Sequence, residues 1–169
     1  MDERAIVDLV RIAAAYVFLH EVRHLMFQNA GDRPANSQDE EIACDRFARE
    51  FLFGGISDYC RASGYAEDGV SNKRLAGIAL GAFIVLYITN DWAGSETHPP
   101  LASRLRVLIR KDEASIRWAA WDYLCCLLLS VLRRERKLPA KLTFTNPQDL
   151  FEKLVKVIES QKDPLMPAR

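Results

Sequence analysis

The sequence has no surplus of charge, because 23 Lys and Arg residues balance 23 Asp and Glu. A nucleic-acid-binding domain normally carries a basic excess, so no nucleic-acid partner is expected. The four cysteines, Cys44, Cys60, Cys125 and Cys126, form no CxxC pair. They lie in apolar, helix-like stretches and read as buried, reduced thiols of a cytoplasmic protein. The N terminus does not read as a secretory signal, since charged residues precede only a short apolar run. Long apolar runs are lacking as well. Residues 75–89 and 119–132 each give about 15 apolar positions, short of the roughly 20 that span a bilayer. The second run also contains Asp122 and is flanked by Arg117 and Arg133. Both read as core helices, so no membrane partner is expected, and Gly77 and Gly81 read as a close helix contact. There is no internal repeat and no low-complexity tract. What remains is a chain of 169 residues, about half of them apolar, suited to one domain with a real core.

Histidine is scarce, with three copies, and each falls in a motif. Two belong to His20-Glu21-Val22-Arg23-His24, an HExxH pentad within a stretch of helical apolar spacing. Positions i and i+4 share a helix face, so both imidazoles can reach one metal ion. Glu21 follows the first histidine, where a carboxylate can act as general base toward an attacking water. A catalytic zinc ordinarily takes three protein ligands and keeps one position open. Two of the three are in hand.

The periodicity predicts an all-α, or nearly all-α, domain of six helices. The first runs from about 3 to 28, with apolar positions at Ile6, Leu9, Val10, Ala13, Val17 and Leu25 and with Gly31 just past its end. Ser37-Gln38-Asp39-Glu40 fits a capping box, Ser37 being the N-cap of a second helix to about Phe53. A further turn or two reaches Gly64. Ser71 is a candidate cap for a third helix through about Asn90, and Pro99-Pro100 opens a fourth. A fifth spans about 113 to 135. A connector follows, with a short extended piece at 141–145, and Pro147 starts an amphipathic helix to about Gln161. The tail from Asp163 is expected to fray. Tyr16, Tyr87 and the tryptophans read as core.

The third ligand comes from the second helix. A metzincin would need glycine at position 27 and histidine at 30, but Phe27 and Ala30 stand there. Glutamate on a following helix is the other common solution. Glu41 and Asp45 are i and i+4 on that helix. Glu41 can bind the ion while Asp45 accepts a hydrogen bond from the far nitrogen of a ligating histidine and so fixes its tautomer. Two alternatives stay open: Glu40 as the ligand, or Asp45 simply pairing with Arg49 one turn on.

HExxH followed by Glu41-x-x-Cys44-Asp45-x-Phe47-Ala48 resembles the gluzincin arrangement of HtpX-like and CAAX-prenyl-protease peptidases, and similarly of phage-exclusion (Lit-type) and ImmA/IrrE-type peptidases. Cys44 stands where that pattern usually has alanine. His98-Pro99-Pro100 with Arg104 resembles the HPxxxxR stretch of HtpX-like enzymes. The resemblance covers residues 15–110 as a motif core, and the helices over 113–161 match nothing comparable. It implies a zincin-like minimal domain over 1–169, with His20, His24 and Glu41 as zinc ligands and Asp45 behind them. His98 would stabilise a developing oxyanion or orient a ligand. Arg104 would be a structural anchor or a cation facing substrate.

Gluzincins usually place an edge strand beside the active helix, and substrate backbone pairs with it. Nothing before residue 15 reads as that strand. Either a partner chain completes the cleft or the chain is a minimal version or a fragment. The expectation is a zinc metalloendopeptidase acting on a specific protein substrate. The alternative is a helical partner-binding module that keeps the scaffold, with zinc structural or absent.

Overall fold

A computed structural model describes residues 3–89, 94–109, 118–134, 138–139 and 141–160. Of these residues 81% are helical and none lies in a strand, so the fold is all-α. The extended piece expected near 141–145 does not form. Seven helices are described: α1 (Glu3–Ala30), α2 (Ser37–Phe53), α3 (Ile56–Ser63), α4 (Glu67–Thr89), α5 (Leu101–Leu108), α6 (Trp118–Arg134) and α7 (Pro147–Ser160). The count exceeds six because the turns after Gly54-Gly55 make a separate helix, α3. The start of the fifth expected helix and the tail from Asp163 lie outside the described residues.

Two caps differ from the expected ones. Asn36, not Ser37, caps α2: its Oδ1 accepts from Asp39 N at 2.7 Å, and its Nδ2 donates to Asp39 Oδ2 at 2.6 Å. This reciprocal pair satisfies an orphan helix donor one residue earlier than the Ser37 box would. α4 begins at Glu67, so Ser71 sits buried inside it. Glu67 and Asp68 place negative charge in that first turn, where the helix dipole favours it. α1 stops where expected: Gly31 takes φ 68°, and its N–H donates to Phe27 O at 3.0 Å.

α4 is the central helix. It packs on α1, α6, α5, α3 and α2. Leu75, Ile78, Ala82 and Leu86 join Leu124 and Leu128 of α6, Leu154 of α7 and Leu101 and Leu105 of α5 in one core cluster. The stretch Glu67–Ile88 is long and apolar enough to cross a membrane, but half of its most apolar window is buried inside the fold. Gly77 and Gly81 let α4 approach α1. A Cβ on Gly77 would lie 2.5 Å from Ile12 Cβ, and one on Gly81 would lie 2.7 Å from Tyr16 Cδ1 and 2.8 Å from Ala13 O.

This contact sets the rotation of α1. Its buried stripe is Ala13, Tyr16, His20 and Phe27. Ile6, Val10 and Leu25, expected on the apolar face, are about half exposed, and Phe18 is 68% exposed. Tyr87 is also exposed, under the Arg134 guanidinium at 4.2 Å from its ring centroid. Trp121 is core, whereas the Trp92 and Trp118 side chains lie outside the described residues. Cys44, Cys60 and Cys125 are buried free thiols, and Cys126 is exposed.

Candidate metal centre

α1 and α2 are joined by a short connector and pack side by side. Tyr16, His20 and His24 are spaced four apart and share the face of α1 turned to α2. Glu41, Cys44 and Asp45 are i, i+3 and i+4 on the facing side of α2, all buried.

Three donor groups converge between the two helices. His20 Nε2 lies 3.2 Å from His24 Nε2 and 3.2 Å from Glu41 Oε2, and His24 Nε2 lies 3.2 Å from Glu41 Oε1. A tetrahedral zinc with bonds of about 2.0–2.1 Å spaces its ligand atoms about 3.3 Å apart. The triangle has that size.

The other ring nitrogens are committed elsewhere. His20 Nδ1 is 3.0 Å from Asp45 Oδ1, and His24 Nδ1 is 2.7 Å from Glu40 Oε1. A carboxylate only accepts, so each Nδ1 carries the proton. In the neutral rings both Nε2 atoms are then bare acceptors, and they face two carboxylate oxygens. Four acceptor atoms around one point are repulsive unless a cation or shared protons sit among them. Without a metal, protons do that work. Burial opposes the charged form of His20, but hydrogen bonds to Asp45 and Glu41 outweigh it and raise its pKa to about 9. For Glu41, burial is likewise outweighed by the hydrogen bond and charge of His20, and its carboxyl is held below its ordinary value.

Asp45 is the hub behind the triangle and is fully buried. Besides His20, its oxygens accept from Tyr16 OH at 2.5 Å, Arg104 Nε at 2.7 Å and Arg104 Nη2 at 2.7 Å. Burial alone would raise its pKa, yet His20 and Arg104 hold it below the usual range. The bidentate fork fixes the carboxylate plane. Asp45 therefore pairs with Arg104 rather than Arg49, whose Nε donates to Leu108 O at 2.9 Å. Arg104 is itself buried, with Nη1 3.8 Å from Glu41 Oε2. The guanidinium is enclosed and holds Asp45.

Glu21 is exposed and makes no hydrogen bond or ion pair among the described residues. His98 stands at the rim, its Nε2 3.8 Å from Glu41 Oε1 and its Nδ1 2.9 Å from Thr97 Oγ1. Every expected site residue thus lies on α1, α2 or α5, or on the loop before α5.

Three further residues join them. Glu40 serves His24 as Asp45 serves His20, and Arg33 Nε holds Glu40 Oε2 at 3.2 Å. Tyr16 closes the Asp45 network. Its position one turn before His20 on the same face was the available signal. Cys44 is the third: its Sγ and one donor atom from each of His20 and His24 all lie within 4.8 Å of one another. Burial, with Glu41, Glu40 and Asp45 nearby, pushes its thiol up to about 12, so in the metal-free protein it stays protonated.

The family model for Peptidase U49 matches residues 1–124, most of the chain and every element of this site. The chain belongs to the peptidase U49 family. The U49 match begins before the motif core read from the sequence and extends past it, taking in all of α1 to α5 and the first turns of α6. No curated protein and no solved structure matches the chain.

Proposed function

We propose that this U49-family peptidase is a zinc-dependent metalloendopeptidase of the gluzincin type, cleaving a specific protein substrate in the cytoplasm. His20, His24 and Glu41 would hold the ion, and Glu21 would act as general base. One observation carries the reading: His20, His24 and Glu41 meet at zinc-like spacing while both Nδ1 protons are already engaged. That donor set is three side chains of nitrogen and oxygen, the number a catalytic zinc takes while keeping a fourth position open.

A zinc ion held there would supply Lewis acidity, polarising the scissile carbonyl and acidifying the attacking water. The protein's own residues do the rest. Glu21, exposed beside His20, takes the proton of the attacking water and passes it to the leaving amine. Asp45 and Glu40 keep the two Nε2 lone pairs pointed inward by holding the Nδ1 protons. His98, at the rim, would donate from Nε2 to the oxyanion as charge develops on the carbonyl oxygen. Phe18 and Leu25 flank Glu21 at i−3 and i+4 and are exposed, so an apolar substrate segment, or a partner chain completing the cleft, has a surface to lie on.

The test is metal analysis of protein purified without a metal-affinity tag, combined with one substitution. One zinc per chain is expected. Glu21→Gln should keep that zinc and the helical fold while abolishing cleavage, because Glu21 binds no metal. Metal-free protein from zinc-replete medium would overturn the reading. Full cleavage by Glu21→Gln would remove Glu21 from the base role.

A further inference from the structure

Cys44 is fully buried and makes no hydrogen bond among the described residues. Its side chain lies on the α2 face that carries Glu41 and Asp45, and its Sγ comes within 4.8 Å of donor atoms on both His20 and His24. A buried polar atom without a partner, lying beside a cluster of metal donors, calls for an explanation. Across a tetrahedral zinc, nitrogen and sulfur ligands are about 3.6 Å apart, given bonds of about 2.0–2.1 and 2.3 Å. The Sγ already lies within 4.8 Å of both imidazoles, so it is the nearest cysteine sulfur to the histidine pair among the groups of described residues that could hold a metal.

We propose that Cys44 is an internal fourth ligand, able to occupy the position that substrate chemistry needs open. The inference rests on the metallopeptidase reading and adds a resting state to it. In the exchange the S–H bond would break, an Sγ–metal bond would form, the proton would pass to solvent and a bound water would be released. No oxidant is involved. With His20, His24, Glu41 and Cys44 all engaged, the coordination sphere would be closed, as in structural zinc sites. Substrate entry would have to return Cys44 to its thiol form before the site becomes competent.

The experiment is X-ray absorption on zinc-loaded full-length protein, comparing wild type with Cys44→Ala and Cys44→Ser, each with its zinc content measured. The expected result is one sulfur shell at about 2.3 Å in wild type, absent from both variants and replaced by nitrogen or oxygen at about 2.0–2.1 Å. Cobalt substitution gives a second readout, a sulfur-to-metal charge-transfer band that disappears in the variants while the ligand-field bands of a tetrahedral site persist. Wild type with stoichiometric zinc but only nitrogen and oxygen shells would overturn the proposal and leave the metallopeptidase reading standing. A sulfur shell that survives in Cys44→Ala would also overturn it, by assigning the ligand to another cysteine. Absence of zinc from wild type would overturn both.

Discussion

Removing the Asp45 carboxylate tests whether the hub behind the histidines is a positioning device or only a structural ion pair. In Asp45→Ala, Arg104 loses two 2.7 Å hydrogen bonds and keeps Glu41 at 3.8 Å as its nearest counter-charge. Stranding one member of a buried pair costs about 3–5 kcal/mol. Domains of this kind have about 5–15 kcal/mol in total, so the variant should fold but unfold at much lower urea. The compensating change is Arg104→Met. It removes the stranded charge and fills part of the volume, so Asp45→Ala/Arg104→Met should be more stable than Asp45→Ala alone, with a coupling of about 1–3 kcal/mol. Zinc affinity should not follow. His20 Nδ1 has lost its acceptor in both proteins, which costs about 10- to 100-fold in metal affinity. Stability is read by urea unfolding followed by circular dichroism with a chelator present, so that metal binding does not contribute. Affinity is read by chelator competition. A double variant less stable than Asp45→Ala would show that a stranded Arg104 charge is not the cause of the loss. Recovery of zinc affinity in the double variant would show that Asp45 acts on the site only through the fold.

Three further perturbations separate the remaining roles. Glu41→Ala should abolish stoichiometric zinc, whereas Glu40→Ala, which only frees His24 Nδ1, should weaken it by about 10- to 100-fold; equal effects would break the distinction between the two glutamates. In metal-free protein the raised pKa of His20 contributes stability that is fully present below about 6.5 and lost as pH rises through about 9. The lowered Glu41 and Asp45 carboxyls contribute stability that is present above their ordinary range and lost as pH falls through their folded values. The melting temperature should therefore fall between pH 6.5 and 9, and the increment added by zinc should grow over the same interval because its ligands bind deprotonated; an increment that stays flat there would refute the assignment. Finally, Gly81→Ala should cost about 1–3 kcal/mol by overpacking against Tyr16 and Ala13, while Gly69→Ala on the same helix, with open space around it, should be neutral or stabilising. Equal melting temperatures for the two variants would contradict the close approach of α4 to α1.

The meeting of His20, His24 and Glu41 was legible in the sequence because their spacing is local. A pentad on one helix and a glutamate on the next need only helical periodicity and a short connector to meet. The all-α class followed from the same periodicity. The facing direction of α1 was not legible in that way. Ile6, Val10 and Leu25 have the right spacing for a core face, but Gly77 and Gly81 dock α4 elsewhere on the helix, and tertiary contact overrides the apolar pattern. The caps of α2 and α4 were misplaced because Asn36 and Ser37 both have capping chemistry, and because Ser71 sits in a helix that had already begun with two acidic residues. Arg104 was visible only as part of a motif. Its anchoring role depends on contacts with Asp45 and Tyr16 that are 59 and 88 residues away in sequence, and nothing local encodes them. Tyr16 was read as core because burial and a hydrogen-bonded hydroxyl look alike in a sequence.

That separation along the chain has a consequence for when the site comes into being. Every group that would touch the ion lies within residues 3–53, on two neighbouring helices joined by a short connector, a unit that can pair early. The clamp that orients those groups arrives only when α5 brings Arg104 against Asp45 and α4 seats Gly81 beneath Tyr16. Before that docking, Glu40 can already hold the His24 ring, but Asp45 has no fixed plane and the His20 ring lacks a rigid acceptor. If the site holds a metal as proposed, competence to grip it would come late in folding, and a partly unfolded molecule would carry the donors without the grip.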